Sequence, residues 1–560
     1  MLKVSNAFVA MFSVCMLVAC SVSGPDFKGV EKATLPENWL GQDTSVGYGS
    51  KVNENVLSGW KTAHWWMQFD DSVLDRLVEK AALQNLDLES AGLRIVQARA
   101  ALGVADSFRY PQRQTVSGSL AKIYQNKNTF DNASLSFDAG WELDVWGKYA
   151  RSIESAEVSL YASVASYHDI LVSITAEVAR NYVNYRTFQE RVLLSERNIE
   201  IQERVVKITE VQFDSGNVTE LDVQQARTQL YNTKSVLPGL KLGMKQSRNA
   251  LAVLLGMLPG EVEQLLASTA IDAKIKAFDD KYDANRSSQQ LTGYDQYSLI
   301  PRPPAVRTVV DASLVLRRPD LQVAEYQAHA RSAQIGVAET ELYPKFSLFG
   351  AIGINSTVKA GNDFSFSDSL TLSLGPAFSW NIFQYGRVKN NIRLEDARFQ
   401  ESLTNYNKRV LLAVQEVSNA LEAYQLNKQQ KSLAFSSVDA SVRAFNISLT
   451  QYENGQITFE RLLSSIEKMT RSEDAYAQIK GSVANQVVAL YKSLGGGWEA
   501  NSGRSYLQAE LAEQMETRTD WGDMLASPVL PSLTPAPEIQ ADIPFSDRKS
   551  TEPVTSEREP

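Results

Sequence analysis

Two cysteines, three histidines and a scatter of paired acids are the side chains in this 560-residue sequence with chemistry to offer. His64, His168 and His329 stand far apart, and none belongs to an HExxH run; GxSxG and GxxxxGK[ST] are also missing. Zinc hydrolysis, serine nucleophilic catalysis and phosphate cradling each need one of those spacings, so an enzyme is not expected. His168 falls in a long helical stretch and reads as a packed or solvated side chain, not as a ligand. Asp70-Asp71 and Asp279-Asp280 read as solvated acids, and Trp65, Trp66 and Phe69 as packing of the N-terminal segment. Cys15 and Cys20 both lie near the N-terminus, which leaves the rest of the chain without a disulfide framework or a cysteine metal site. Neither a metal nor a cofactor is expected.

The one covalent chemistry to which the sequence does point is at Cys20. Lys3 precedes the run AFVAMFSVCMLVA, which is too short to span a bilayer and has the character of a signal-peptide core. The run ends in LVACS, which resembles a bacterial lipobox, so residues 1–19 read as a signal peptide and Cys20 as the acylated first residue after cleavage. By the same resemblance, Ser21 in the next position implies sorting to the outer membrane. The alternative is a plain secretory signal with an incidental cysteine. After Cys20 no stretch of about 18 apolar residues exists, so no transmembrane helix is expected. A net charge of −9 without blocks of Lys and Arg excludes a surface built to displace counterions from nucleic acid.

The elements that would position anything else come in two copies. QFDSGNVTELDVQ (212–224) and QYENGQITFERLL (451–463) share Gln, an aromatic, Gly, a β-branched residue and Thr at matching offsets, 239 positions apart. The same shift lays WELDVWGKYARS (141–152) on WNIFQYGRVKNN (380–391), and a shift of 233 lays LGVADSFRYP (102–111) on IGVAETELYP (335–344). The chain is therefore an internal duplication. In each copy a helical segment stops at Tyr-Pro, because proline disfavours helix at the residue before it. Alternating segments follow: Leu135, Phe137, Ala139, Trp141 and Leu143 against Ser134, Ser136, Asp138, Gly140 and Glu142, then Leu370, Leu372 and Leu374 against Thr371 and Ser373. Segments of about ten residues, apolar on one face, polar on the other and ended by aromatics, suit a membrane β-barrel. A soluble antiparallel sheet with one dry face would show the same alternation. Four strands cannot close a barrel, and an open edge in lipid leaves backbone groups unsatisfied, so several chains must share one.

After the paired glycines the period changes. Val164, Tyr167, Leu171, Ile174, Val178, Tyr182 and Tyr185 step by three and four, Ile199, Val206 and Phe213 continue a seven-residue beat, and no Gly or Pro interrupts 149–215. One helix of that length would reach about 100 Å, which argues for coiled-coil packing. The twin turns then reverse the chain into helices over about 219–255 and up to about 494. Gly216 and Gly455 supply the left-handed conformation that ends a helix, and Thr219 and Thr458 stand near the next N-cap. Residues 260–313, with PRPPA at 301–305, read as a connector, and 499–560 as a largely disordered, proline-rich tail. The domain reading is thus 20–110 for the N-terminal segment and first helices, 111–259 and 314–498 for the repeats, with the connector between them.

LVACS followed by GPDF, HWWMQFDDSVLDRLVEKA (64–81), LRRPDLQVAE (316–325), AETELYPKFSL (338–348), the two tip motifs and SLGGGW (493–498) together resemble the TolC-like outer-membrane efflux factors. The match is closer to their lipidated, OprM-like branch, the outer-membrane lipoproteins of RND-type tripartite efflux, and it covers about 17–498. The resemblance implies an α+β membrane protein: a homotrimer with a 12-stranded β-barrel, four strands per chain, continued by a long α-helical coiled-coil periplasmic tunnel. It implies a passive exit duct for drugs, dyes or metal ions, working with a periplasmic membrane-fusion adaptor that docks at Gly216, Thr219, Gly455 and Thr458, and with an inner-membrane pump. Type I protein secretion on the same scaffold, or a structural periplasmic coiled-coil lipoprotein, are the alternatives. At the entrance gate, the family's link between an acid and a tyrosine falls on Asp222 and Tyr452, a bond of about 1.5–3 kcal/mol if made, within a chain or between chains. Where the family places an acidic ring, this sequence has Arg461 and Ser464, with Glu460 adjacent.

Overall fold

The computed structural model describes residues 22–30, 62–281, 298–306, 310, 315–359, 369–501 and 504–525. The signal segment, Cys20 and the tail from 526 onward lie outside the described residues. Helix α1 (Ser72–Gln84) opens where the Asp71 carboxylate accepts hydrogen bonds from Val73 N and Leu74 N, and α2 (Leu86–Ser107) where Asn85 does the same for Leu88 N. Asp71 is therefore not a solvated acid: besides capping α1 it accepts a bond from the Tyr182 hydroxyl.

Past Tyr110-Pro111 the chain turns to strand β1 (Arg113–Gln125), reverses at Asn126 and Lys127, both with positive φ, and returns as β2 (Asn128–Leu143). Two left-handed residues are what a tight hairpin between right-twisted strands requires. The second repeat runs through α7 (Pro319–Thr340), β3 (Lys345–Lys359) and β4 (Leu370–Ser379). The strands form one antiparallel sheet in chain order, β1-β2-β3-β4. Its register places Val116, Phe137, Ile352 and Leu372 in one row, while the adjacent row is Ser117, Ser136, Gly353 and Thr371. One face is thus apolar and exposed in the single chain. The other is polar, with Ser117 Oγ 3.0 Å from Ser136 Oγ. Trp141 donates to Arg109 O and Trp380 to Leu342 O, the same bond in both copies, tying strand ends back to the Tyr-Pro stops.

The long helices are α3 (Lys148–Asp214) and α8 (Arg387–Glu453), 67 residues each, and they return as α4 (Glu220–Leu254) and α9 (Phe459–Ser493). At 1.5 Å per residue, α3 and α8 each run about 100 Å. Helix α9 packs on both α8 and α3, so the distal order is α4-α3-α9-α8; nearer the sheet it is α2-α3-α7-α8. Val164, Tyr167, Leu171, Ile174, Val178 and Tyr182 are all buried, as the stripe demands, but Phe213, at the end of α3, is 42% exposed. The connector holds two helices in its described part, α5 (Pro259–Leu266) and α6 (Thr269–Lys281).

The tail reading is corrected over 504–525. Helix α10 (Ala509–Arg518) and the turns around it set Leu507, Leu511, Met515, Trp521 and Leu525 against Leu93 and Val96 of α2. Gln508 also donates to Leu83 O, and Arg99 to Met524 O. The prolines behind the disorder reading begin only at Pro528. Upstream of them the segment has apolar residues at helical spacing and buries them.

Candidate functional site

Three places on this frame bear on function: the helix tips, a polar seam between the hairpins, and a strap formed by residues 22–30. At the tips, Gly216 and Gly455 have φ of +75° and +68°, and a Cβ at either would meet open space. The bonds Asn217 N to Gln212 O (2.9 Å) and Gln456 N to Gln451 O (2.8 Å) close the same C-terminal turn in each copy. Thr219 and Thr458 follow as N-caps, both exposed.

The structure does not join Asp222 to Tyr452 within the chain. Asp222 turns its carboxylate to its own helix start, accepting from Thr219 N at 2.9 Å and Thr219 Oγ1 at 2.8 Å. A carboxylate three residues into a helix has a nearby partner in the N-cap, and that local bond wins over one across helices. Tyr452 instead donates from its hydroxyl to Thr209 Oγ1 of α3 at 3.2 Å, is 2% exposed, and packs edge-on against Phe459. Burial pushes its hydroxyl above the ordinary phenol range; the Thr209 bond acts the other way, and the Asp222 charge adds to the rise. Glu460, Arg461 and Ser464 are exposed on the first turns of α9. Arg461 stands where the first repeat has Asp222, so the second tip lacks the acid that caps the first.

Ties between hairpins that sequence reasoning missed run along α3. Arg204 pairs with Glu453 at 3.2 Å, Arg191 with Asp474 at 2.7 Å, and Glu473 accepts from Arg197 and Asn198. Glu190 accepts from Lys480 Nζ, from Ser298 Oγ at 2.7 Å and from Leu299 N at 3.0 Å, pinning the connector to α3 and α9. Arg186, one turn away, donates to Leu266 O at 2.6 Å. Charged residues four apart inside an otherwise apolar stripe were the available signal for this seam. His168 stacks on Trp498 with centroids 4.8 Å apart, and burial lowers its pKa to about 4, so it is a packed neutral ring.

The strap begins two residues after Cys20. Arg151, whose side chain is 6% exposed, donates to Ser23 O (3.1 Å), Gly24 O (3.2 Å), Asp26 (2.6 Å) and Glu154 (2.7 Å). Gly24 has φ +92°, and a Cβ there would overlap Gly336 Cα of α7. Phe27 stacks on His329 at 4.5 Å, and Glu154 holds the other side of that ring at 2.9 Å. Burial works to raise the Glu154 pKa, but the His329 and Arg151 bonds outweigh it and hold the carboxyl below its usual range. The repeat partner of Arg151 is Asn390, so the duplication is broken where the strap docks.

The family model described as outer membrane efflux protein matches residues 77–257 and 312–496. Over 498 residues the chain is 27% identical to the pyoverdine export outer membrane protein OpmQ of Pseudomonas putida, covering 87% of this chain and 96% of that one. It is 24% identical over 497 residues to the probable outer membrane lipoprotein SilC of Salmonella typhimurium, covering 88% and 98%. The solved structure of the outer-membrane channel OprN superposes with a TM-score of 0.66 at 29% identity, covering 82% of this chain and all of that one. The four-stranded sheet, whose two edges are unpaired among the described residues, is accordingly one chain's share of a trimeric barrel, and the helices its share of the tunnel below. Matched in two blocks that follow its own duplication and fill more than half its length, the chain belongs to the outer membrane efflux protein family.

Proposed function

We propose that this outer-membrane efflux protein is the passive exit duct of a tripartite assembly, exporting small molecules, with its tips as the surface on which a periplasmic adaptor docks and opens it. The observation that carries this is the sheet register: an apolar row beside a polar row on strands with two unpaired edges suits a wall between lipid and a water-filled lumen. No nucleotide motif is present in the sequence to drive transport, so the work falls to an inner-membrane pump, of the RND type by the resemblance to the lipidated branch. The adaptor acts by binding the open state of the tips more tightly than the closed one. Gly216, Thr219, Gly455 and Thr458 form the docking turns. Tyr452, Asp222, Glu460, Arg461 and Ser464 belong to the entrance gate, where Tyr452 ties α8 to α3 through Thr209. Cys20 carries the lipid, supported by the strap, which fastens Val22 and Ser23 beside Gly147 at the junction of sheet and helix.

The test is the double variant Gly216→Leu/Gly455→Leu. A Cβ at either site meets open space, and the left-handed backbone costs roughly 1–2 kcal/mol at each, so trimers should still reach the outer membrane. Cellular efflux of dyes and antibiotics should be lost. Undiminished efflux with normal trimer levels would refute the docking role.

A further inference from the structure

The membrane-proximal helices enclose a cleft of about 820 Å³ that the duct reading leaves without a role. It lies between α2, α3, α7 and α8, and its floor is small and polar: Ser155, Ser159, Ser163 and Ser166 line it from α3. Their hydroxyls are largely turned to local acceptors, Ser159 to Ser155 O and Ser163 to Ser159 O. Above this low floor stand three guanidiniums from three different helices, Arg94, Arg331 and Arg398. Arg398 is paired with Glu395 one turn away on its own helix. Arg94 and Arg331 are exposed and have no ion pair among the described residues, and the lining holds a single acid, Glu401.

The side of the wall on which this cleft lies follows from α7. One face of that helix, with Leu321, Ala328 and His329, is covered by the strap through Phe27 and Val30. The opposite face, with Val323, Gln327, Ala330 and Arg331, lines the cleft. Residues three to four apart share a helix face, and these two sets fall about half a turn from each other. On α2 the division is the same: Leu93 and Val96 meet the C-terminal segment, while Arg94 points into the cleft. The strap packs on the helices α3 and α7, and the lipid proposed at Cys20 requires it to run on the outside of that wall, so the cleft faces inward.

We infer that this cleft is a cationic belt on the lumen wall that favours cargo bearing carboxylate, phosphate or sulfonate groups. The inference rests on the duct reading. Each chain of the trimer adds the same two guanidiniums without an ion pair, against the single acid Glu401, at the same height, and a ring with an excess of arginines in a confined aqueous path concentrates anions and repels cations.

Trimers reconstituted in planar bilayers under a KCl gradient test it, with citrate as a trivalent anionic probe. Arg94→Gln/Arg331→Gln should lower the chloride-to-potassium permeability ratio by about two-fold or more, and weaken citrate block. Arg94→Lys/Arg331→Lys should keep both properties, and Lys28→Gln, on the outward strap, should leave them unchanged. All variants share the same tips, so the entrance contributes equally to each. A double Gln variant with normal single-channel conductance and an unaltered ratio overturns the belt while leaving the duct intact. Failure of every form, the unaltered protein included, to conduct as a trimer overturns both.

Discussion

Replacing Arg151 by Ala should release the strap. Its guanidinium is nearly inaccessible and makes two bonds to main-chain carbonyls, Ser23 O and Gly24 O, each about 1.5–3 kcal/mol for a charged donor. The pair with Asp26 adds little, because that carboxylate is 85% exposed and an exposed ion pair contributes about 0–1 kcal/mol. Undocked carbonyls regain water, which offsets part of the loss, so the net weakening is about 2–4 kcal/mol, or roughly 30- to 700-fold in the docking equilibrium. Glu154 keeps its His329 partner, so no buried charge is orphaned. The reporter is the Ser23 amide, which donates to Trp146 O at 3.0 Å. In detergent-extracted trimers its hydrogen exchange should accelerate by that factor while amides in the middle of α3 stay protected. Arg151→Lys, with charge but no fork, should fall between. Unchanged exchange at Ser23 in Arg151→Ala would refute the claim that this side chain holds the strap.

Two further outcomes follow from the helical part. Tyr452→Phe combined with Arg204→Gln removes the Thr209 bond and an exposed ion pair, about 1–2 kcal/mol together. Resting conductance should rise, and no change would mean that these ties do not hold the tips shut. His168 binds its proton less readily folded, with a pKa of about 4, than unfolded, near 6.5. The unfolded state thus takes up more protons as pH falls from above 6.5 towards 4, and stability is lost across that window. At pH 5 the loss should be about 1–2 kcal/mol relative to pH 8, read as a lower apparent unfolding midpoint; His168→Phe should flatten that dependence, and an equally steep variant would remove His168 as its source.

Much of this protein was legible in short windows of sequence. The duplication, the Tyr-Pro stops, the period-two strands, the long helices and the turns at Gly216 and Gly455 are all set by local sterics and periodicity, and a sequence carries those whatever lies nearby. Even the need for partner chains follows from counting strands against the edges that lipid leaves unsatisfied. What the tertiary structure decided is which side chains meet across large separations. Asp222 had two acceptable uses, capping its own helix or reaching Tyr452, and only the folded chain shows the nearer donors taking it. Arg151 lies 125 residues from Asp26, and nothing in either neighbourhood announces their contact. Glu190 and Lys480 find each other across 290 residues, and each would read alone as a misplaced charge in an apolar stripe. The segment around Met515 looked like tail because the prolines after it dominated its composition, and its docking on α2 depends on a surface more than 400 residues upstream. Periodicity acts through neighbours along the chain and so is written there; pairing acts through space, and only the fold brings its partners into range.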